Sequence, residues 1–172
     1  MSDERWQTFK TLALAHRWQP LAALLKAVGP KGAERFVTSI VDENHHATAL
    51  TMCARNAATA ALNAASSAKT NGEAEGGGKT KGEAGGEETV AGLLETCQVL
   101  VKIGADLNHR DAKGRTALQW AVLGGLTQLV ALLLSLGADV VTMDNTGQTA
   151  LHAAIASGNH ACVALLLQHD RQ

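Results

Sequence analysis

Apolar and polar positions in the second half of the chain follow one order twice. DAKGRTALQWAVLGGLTQLVALLLSLGADV, from Asp111, aligns with DNTGQTALHAAIASGNHACVALLLQHD, from Asp144. Thr116/Thr149, Leu118/Leu151, Ala121/Ala154, Gly125/Gly158, Val130/Val163 and the triplets Leu132-Leu133-Leu134/Leu165-Leu166-Leu167 all recur at the same offset in number, 33. A fixed period of this length marks a stack of supersecondary units. Thr116 followed three residues later by Gln119 is a capping-box pattern that opens a helix, and Gly125 punctuates it after about two turns. A second helix then carries Leu129, Val130, Leu132, Leu133 and Leu134 on a broad apolar face and stops at Gly137, a residue suited to the left-handed C-terminal conformation. The predicted unit is helix, turn, helix, hairpin loop.

The same marks continue upstream. Gly104-Ala105-Asp106-Leu107 sits one period before Gly137-Ala138-Asp139-Val140, so the stretch with Cys97, Val99, Leu100 and Val101 reads as the second helix of an earlier unit. Its first helix reappears at Thr48-Ala49-Leu50, with Cys53 at the Ala121 position. Thr48 and Thr96 differ in number by 48 where Thr116 and Leu129 differ by 13, and the excess of 35 is an insert. The insert, over about 58–92, is rich in Ala, Gly, Glu and Lys and is expected to be flexible and disordered, with its alanine run lengthening the first helix and VAGLLE from Val90 starting the second one early. Closing so long a loop costs about 1.5 kcal/mol more than closing a short one. The segment from Met1 to Gly29 fits a degenerate opening unit: Ala13 aligns with Ala121, Leu21 with Leu129, Leu24-Leu25 with Leu132-Leu133, and Gly29 with Gly137.

The pattern D-x-x-G-x-T-A-L-x-x-A, then Gly, then V-x-L-L-L and G-A-D-V, resembles the ankyrin repeat. The resemblance implies an all-α solenoid of about four helix-turn-helix repeats with hairpin loops, divided as 1–47, 48–110, 111–143 and 144–172. It departs from the family's T-P-L-H in lacking the proline, with Thr116-Ala117-Leu118-Gln119 and Thr149-Ala150-Leu151-His152 in its place. The family binds proteins through its hairpin tips and the concave surface of its first helices. Carried onto this chain, the implied partner-facing positions are Arg110, Ala112, Lys113, Arg115 and Leu123 in the third repeat, and Met143, Asn145, Thr146, Gln148 and Ser157 in the fourth. LVKIGADLN, from Leu100, also resembles the site at which an asparaginyl hydroxylase modifies ankyrin proteins, which makes Asn108 a candidate for hydroxylation.

Composition narrows the alternatives. A formal net charge of -1 over 172 residues gives no global field to recruit nucleic acid or an anionic membrane. The tip NHRDAKGR, residues 108–115, is nevertheless locally basic and suggests an acidic partner surface. No apolar run approaches a membrane span, and the acidic opening MSDERWQTFK is unlike a signal peptide. Three unpaired cysteines, Cys53, Cys97 and Cys162, suit buried thiols in a reducing compartment, cytoplasmic or nuclear. With no Tyr, two Phe and three Trp, the core is expected from Leu, Val and Ala, with Trp120 packed rather than exposed.

Catalytic chemistry finds little support. GGGKT, residues 76–80, evokes a phosphate loop, but five positions before Gly78 stands Glu73 instead of glycine, and AATAALNAASSAKT upstream favours helix over the required strand. His45, His46 and Cys53, and His152, His160, Cys162 and His169, match no compact zinc spacing. No Gly-x-Ser-x-Gly elbow is present, and the recurrent aspartates belong to the hairpins. No catalytic residue, cofactor or metal is therefore assigned. The expected function is a non-enzymatic adaptor or scaffold; the alternative is an enzyme inhibitor or assembly chaperone that occludes a client, and a nucleotide-binding protein is the remote third. The last repeat keeps the internal apolar pattern where a terminal cap would turn polar, so its final helix pair is a candidate for self-association.

Overall fold

The computed structural model describes residues 7–8, 11–12, 23, 26–27, 47–69 and 86–169. Among them every regular element is a helix: α1 (Ala49–Lys69), α2 (Gly86–Lys102), α3 (Ala117–Leu123), α4 (Thr127–Ser135), α5 (Ala150–Ala156) and α6 (His160–His169). They pack as pairs, α1 with α2, α3 with α4 and α5 with α6, and the pairs stack. One layer runs α1, α3, α5 and the other α2, α4, α6. The architecture is an all-α solenoid.

Each repeat opens on the same device with a different partner. The Thr116 side chain accepts from Gln119 N–H at 3.4 Å while Gln119 Oε1 accepts from Thr116 N–H at 3.0 Å, closing the box predicted from sequence. Thr149 and His152 close it for α5, with the imidazole Nδ1 2.8 Å from the threonine hydroxyl. For α1 the third-residue partner is Thr51, whose hydroxyl accepts from Thr48 N–H at 3.0 Å. An amide, an imidazole and a hydroxyl thus serve one geometric need, an acceptor for an otherwise orphan N–H at the helix start.

The sequence period is written into the backbone as well. Positive φ values fall at Gly104/Gly137, Gly114/Gly147 and Gly125/Gly158, at 104°/89°, 73°/79° and 66°/69°. α2 and α4 each end in a reversed turn, with Ala105 N–H on Leu100 O and Ala138 N–H on Leu133 O, both at 3.0 Å.

Burial follows the apolar stripes. Leu50, Leu100, Leu118, Leu129, Val130 and Leu133 are fully enclosed, and each such side chain contributes about 1.5–3 kcal/mol relative to exposure. Cys53, Cys97 and Cys162 are buried in the same core, and Trp120 is packed at 7% exposure.

The insert differs from its expected extent. Rather than being flexible over 58–92, the chain stays helical to Lys69 and becomes helical again at Gly86. The reason is packing as well as alanine propensity: Ala58 is fully buried against Gly124, where an added Cβ would lie 2.6 Å from Ala58 Cα. Residues 70–85, including GGGKT, lie outside the described residues. So does most of the first repeat expected over 1–47, of which positions 7, 8, 11, 12, 23, 26 and 27 are helical. Lys26 ion-pairs with Glu95 of α2, an exposed contact of little energetic weight.

Gly114 and Gly147 isolate one contact, because they share a left-handed conformation but not a neighbourhood. A Cβ on Gly147 meets nothing within 4 Å, whereas on Gly114 it would stand 2.3 Å from Asn145 Oδ1 and 2.7 Å from Asn145 N. Gly147→Ala is expected to cost about 1 kcal/mol and Gly114→Ala about 3 kcal/mol, measured by urea denaturation. Equal costs would show that the neighbouring tip is not held against Gly114.

Candidate protein-binding surface

Two aspartates organise the hairpin tips. Asp111 Oδ1 accepts from the N–H groups of Lys113 and Arg115, each at 2.9 Å, and its Oδ2 accepts from Trp120 Nε1 at 2.9 Å. Asp144 repeats the arrangement with the N–H groups of Thr146 at 2.8 Å and Gln148 at 3.0 Å, and adds the Thr146 hydroxyl at 2.6 Å. Both aspartates are only 7% exposed. Where Asp111 meets the indole, Asp144 Oδ2 meets Arg115 Nε at 3.4 Å.

Neighbouring tips are tied to one another. Asn145 donates its N–H to Lys113 O and its side-chain amide to Ala112 O, both at 3.0 Å. Arg110 reaches Gly114 O at 3.1 Å through Nε and Asn145 Oδ1 at 3.4 Å through Nη2. From the helix behind the first of these tips, Gln119 Nε2 donates to Thr142 O at 3.0 Å and Gln148 O at 2.9 Å, so the residue that caps α3 also holds the next hairpin. Asn159 Nδ2 donates back to Val122 O at 2.9 Å. The tips therefore form a continuous, internally bonded edge.

Of the ten positions proposed as partner-facing, Arg110, Ala112, Lys113, Met143, Asn145, Thr146 and Gln148 are exposed along this edge. Arg115 is half-buried, and so is Leu123, which packs against the core. Ser157 is exposed at the end of α5, but its hydroxyl donates to Ala153 O at 2.7 Å and accepts from Asn159 at 2.9 Å. Arg110, Arg115 and Asn145 spend their polar groups within the fold. Lys113 Nζ and the Arg115 guanidinium lie 5.9 and 5.1 Å from the centre of the Trp120 ring, contacts worth about 0.5–1 kcal/mol each. With Asp111 and Asp144 among them, the three cations of the tip are partly neutralised. Asn108 is exposed, and its side-chain oxygen accepts from Asp139 N–H at 2.9 Å.

Burial and hydrogen bonding shift several of the ionisable groups. Burial opposes ionisation of Asp144, but the Thr146 hydroxyl, the Gln148 and Thr146 N–H groups and Arg115 outweigh it and hold the carboxyl at about 2. Burial raises all three thiols, Cys97 to about 12, and for Cys53 the nearby Cys97 adds to the effect. Among the described residues no three His, Cys, Asp or Glu side chains come together as a metal site, and no helix is long and apolar enough to cross a membrane.

Paired helices in two layers, with a bonded row of hairpin tips along one edge, define a repeat scaffold of the binding class. Residues 89–172 match the family model for ankyrin repeats (3 copies), and the chain is an ankyrin-repeat protein over that stretch. A chain from the crystal structure of the yeast ribosomal protein Rps3 in complex with its chaperone Yar1 aligns with a TM-score of 0.60 at 23% identity, covering 98% of this chain and 94% of that one. Identity at that level establishes shared fold alone. A search of curated proteins found no relative.

Two outcomes are expected from the titratable groups. The carboxyl of Asp144 is depressed from an ordinary value of 3.8, so its contribution is present above that value and is lost as pH falls through about 2. The shift corresponds to about 2 kcal/mol. Asp144→Asn should flatten the pH dependence of urea stability between about pH 4 and pH 2; an unchanged slope would show that the hydrogen bonds do not favour the anion. Separately, native protein at neutral pH should resist iodoacetamide at all three cysteines, with Cys162 on the terminal helix labelled first as denaturant is added, as read by peptide mass spectrometry.

Proposed function

We propose that the protein is a non-enzymatic adaptor that binds a protein partner along its hairpin edge. The observation that carries this reading is the bonding of one tip to the next: Asn145 fixes Ala112 and Lys113 relative to residues 143–146, so the exposed side chains are presented on a rigid row. Binding by such a row loses little conformational entropy, which favours recognition of a folded surface. Arg110 and Lys113 are exposed cations on the edge, so an acidic patch fits opposite them, while Met143, 55% exposed, supplies an adaptable apolar contact. A reducing compartment, cytoplasm or nucleus, fits the buried free thiols.

The second reading, occlusion of a client in the manner of an assembly chaperone, is favoured by the fold shared with a chain from the chaperone complex described above. It uses the same edge and differs in consequence: a chaperone keeps its client soluble, whereas a scaffold leaves the client's solubility unchanged.

The test replaces side chains that the fold does not use for hydrogen bonding. Ala112→Glu/Lys113→Glu/Met143→Glu should abolish capture of partners from native lysate, with an unchanged circular dichroism spectrum and a melting temperature lowered by no more than a few degrees through loss of the Lys113–Trp120 contact. Gln128→Glu/Ala131→Glu, exposed on α4, should retain them. Equal capture by both variants would remove the hairpin edge as the binding surface.

A further inference from the structure

The last repeat bears a face that its internal counterpart buries. Val122 is fully enclosed and Ile155, at the matching position of the next repeat, is 63% exposed; Leu134 is 6% exposed and Leu167 48%. Leu118 is buried and Leu151 only partly so, and Gln119 is buried whereas His152 is exposed. In the third repeat these positions lie where α5 stacks on α3 and α6 on α4. In the fourth, Leu151, Ile155 and Leu167, with His152 among them, form a largely apolar face that no described residue covers. Val140, Val141, Thr149, Leu151, Leu166 and Leu167 line a recess in it, and Ile155 stands one turn along α5 from Leu151.

Charge decides what fits there. Residues 145–169 contain no Asp, Glu, Lys or Arg, in a chain that is 18% charged. Soluble surfaces ordinarily intersperse both signs, and interface cores are depleted of Lys, Glu and Asp. A face this poor in charge offers little to select an acidic or a basic segment and meets little like-charge repulsion when brought against itself, with Asp139, whose carboxyl accepts from Val141 N–H, and the exposed His152 beside it. A face that combines a recess with a projecting Ile155 can also be self-complementary about a two-fold axis.

We propose that this face pairs with the same face of a second copy, forming a closed two-fold dimer in which Leu151, Ile155 and Leu167 of each copy cover those of the other. The contact continues the stacking interface between the third and fourth repeats and is independent of the hairpin edge. A face one repeat wide lies at the small end of specific interfaces, so a micromolar dissociation constant is expected.

Sedimentation velocity of the full chain across the micromolar range tests this. The expected result is a concentration-dependent dimer that persists in about 1 M sodium chloride, where the screening length falls to about 3 Å. Ile155→Glu and, separately, Leu167→Asn should weaken it at least about tenfold, as removal of a central apolar contact does. Both positions are exposed, so helical content should be unchanged, while Ala112→Glu/Lys113→Glu/Met143→Glu should leave the dimer intact. A monomer at every concentration, a dimer unaffected by both face substitutions, or species that keep growing beyond two copies would each overturn the proposal.

Discussion

The amide of Gln119 links the two scales of this structure. Its oxygen satisfies the orphan N–H at the start of α3 and its nitrogen holds the carbonyls of Thr142 and Gln148 in the hairpin that leads into the next repeat. A single repeat cannot bury its own apolar face, so the fold depends on fixing each unit to its neighbour at the right distance and angle. Hydrophobic burial supplies most of the attraction but little direction. The amide supplies direction, because leaving it or either carbonyl unpaired in a desolvated joint would cost about 1–3 kcal/mol per group.

The repeat was legible because its determinants are local. Thr116 and Gln119 are three positions apart, Gly137 follows its helix directly, and the apolar stripes of α3 and α4 lie within a single repeat. The hairpin edge was legible only as a set of exposed positions. Arg110, Arg115 and Asn145 looked free because their partners, Asn145, Asp144 and Ala112, are 35, 29 and 33 residues away. NHRDAKGR reads as basic from its own residues, and only the fold brings Asp144 of the following repeat to Arg115. The length of α1 was obscured for a related reason: alanine propensity hinted at an extension, but the contact that seats it, Ala58 on Gly124, joins two different repeats.

Charge at the hairpin tips is largely committed to architecture. Asp111 and Asp144 are ringed by N–H donors, and Arg115 is shared between an indole and a carboxylate. Such groups shape the tips more than they attract ligands, which leaves Ala112, Lys113 and Met143 as the side chains whose replacement changes the surface without dismantling it. The thiols are withdrawn from chemistry by the same logic, since burial favours their neutral form.

Stacking by nearest neighbours gives the order of the chain's unfolding a direction. The third repeat is clasped on both sides, by α1 and α2 before it and α5 and α6 after it, whereas among the described residues the fourth has a neighbour on one side alone. Losing the fourth repeat breaks one joint; losing the third breaks two. Local opening therefore begins at α6 and travels inward, and amide protons of α3 and α4 outlast those of the terminal pair. Over the described repeats the stack is a graded spring, stiff at the third and soft at the fourth.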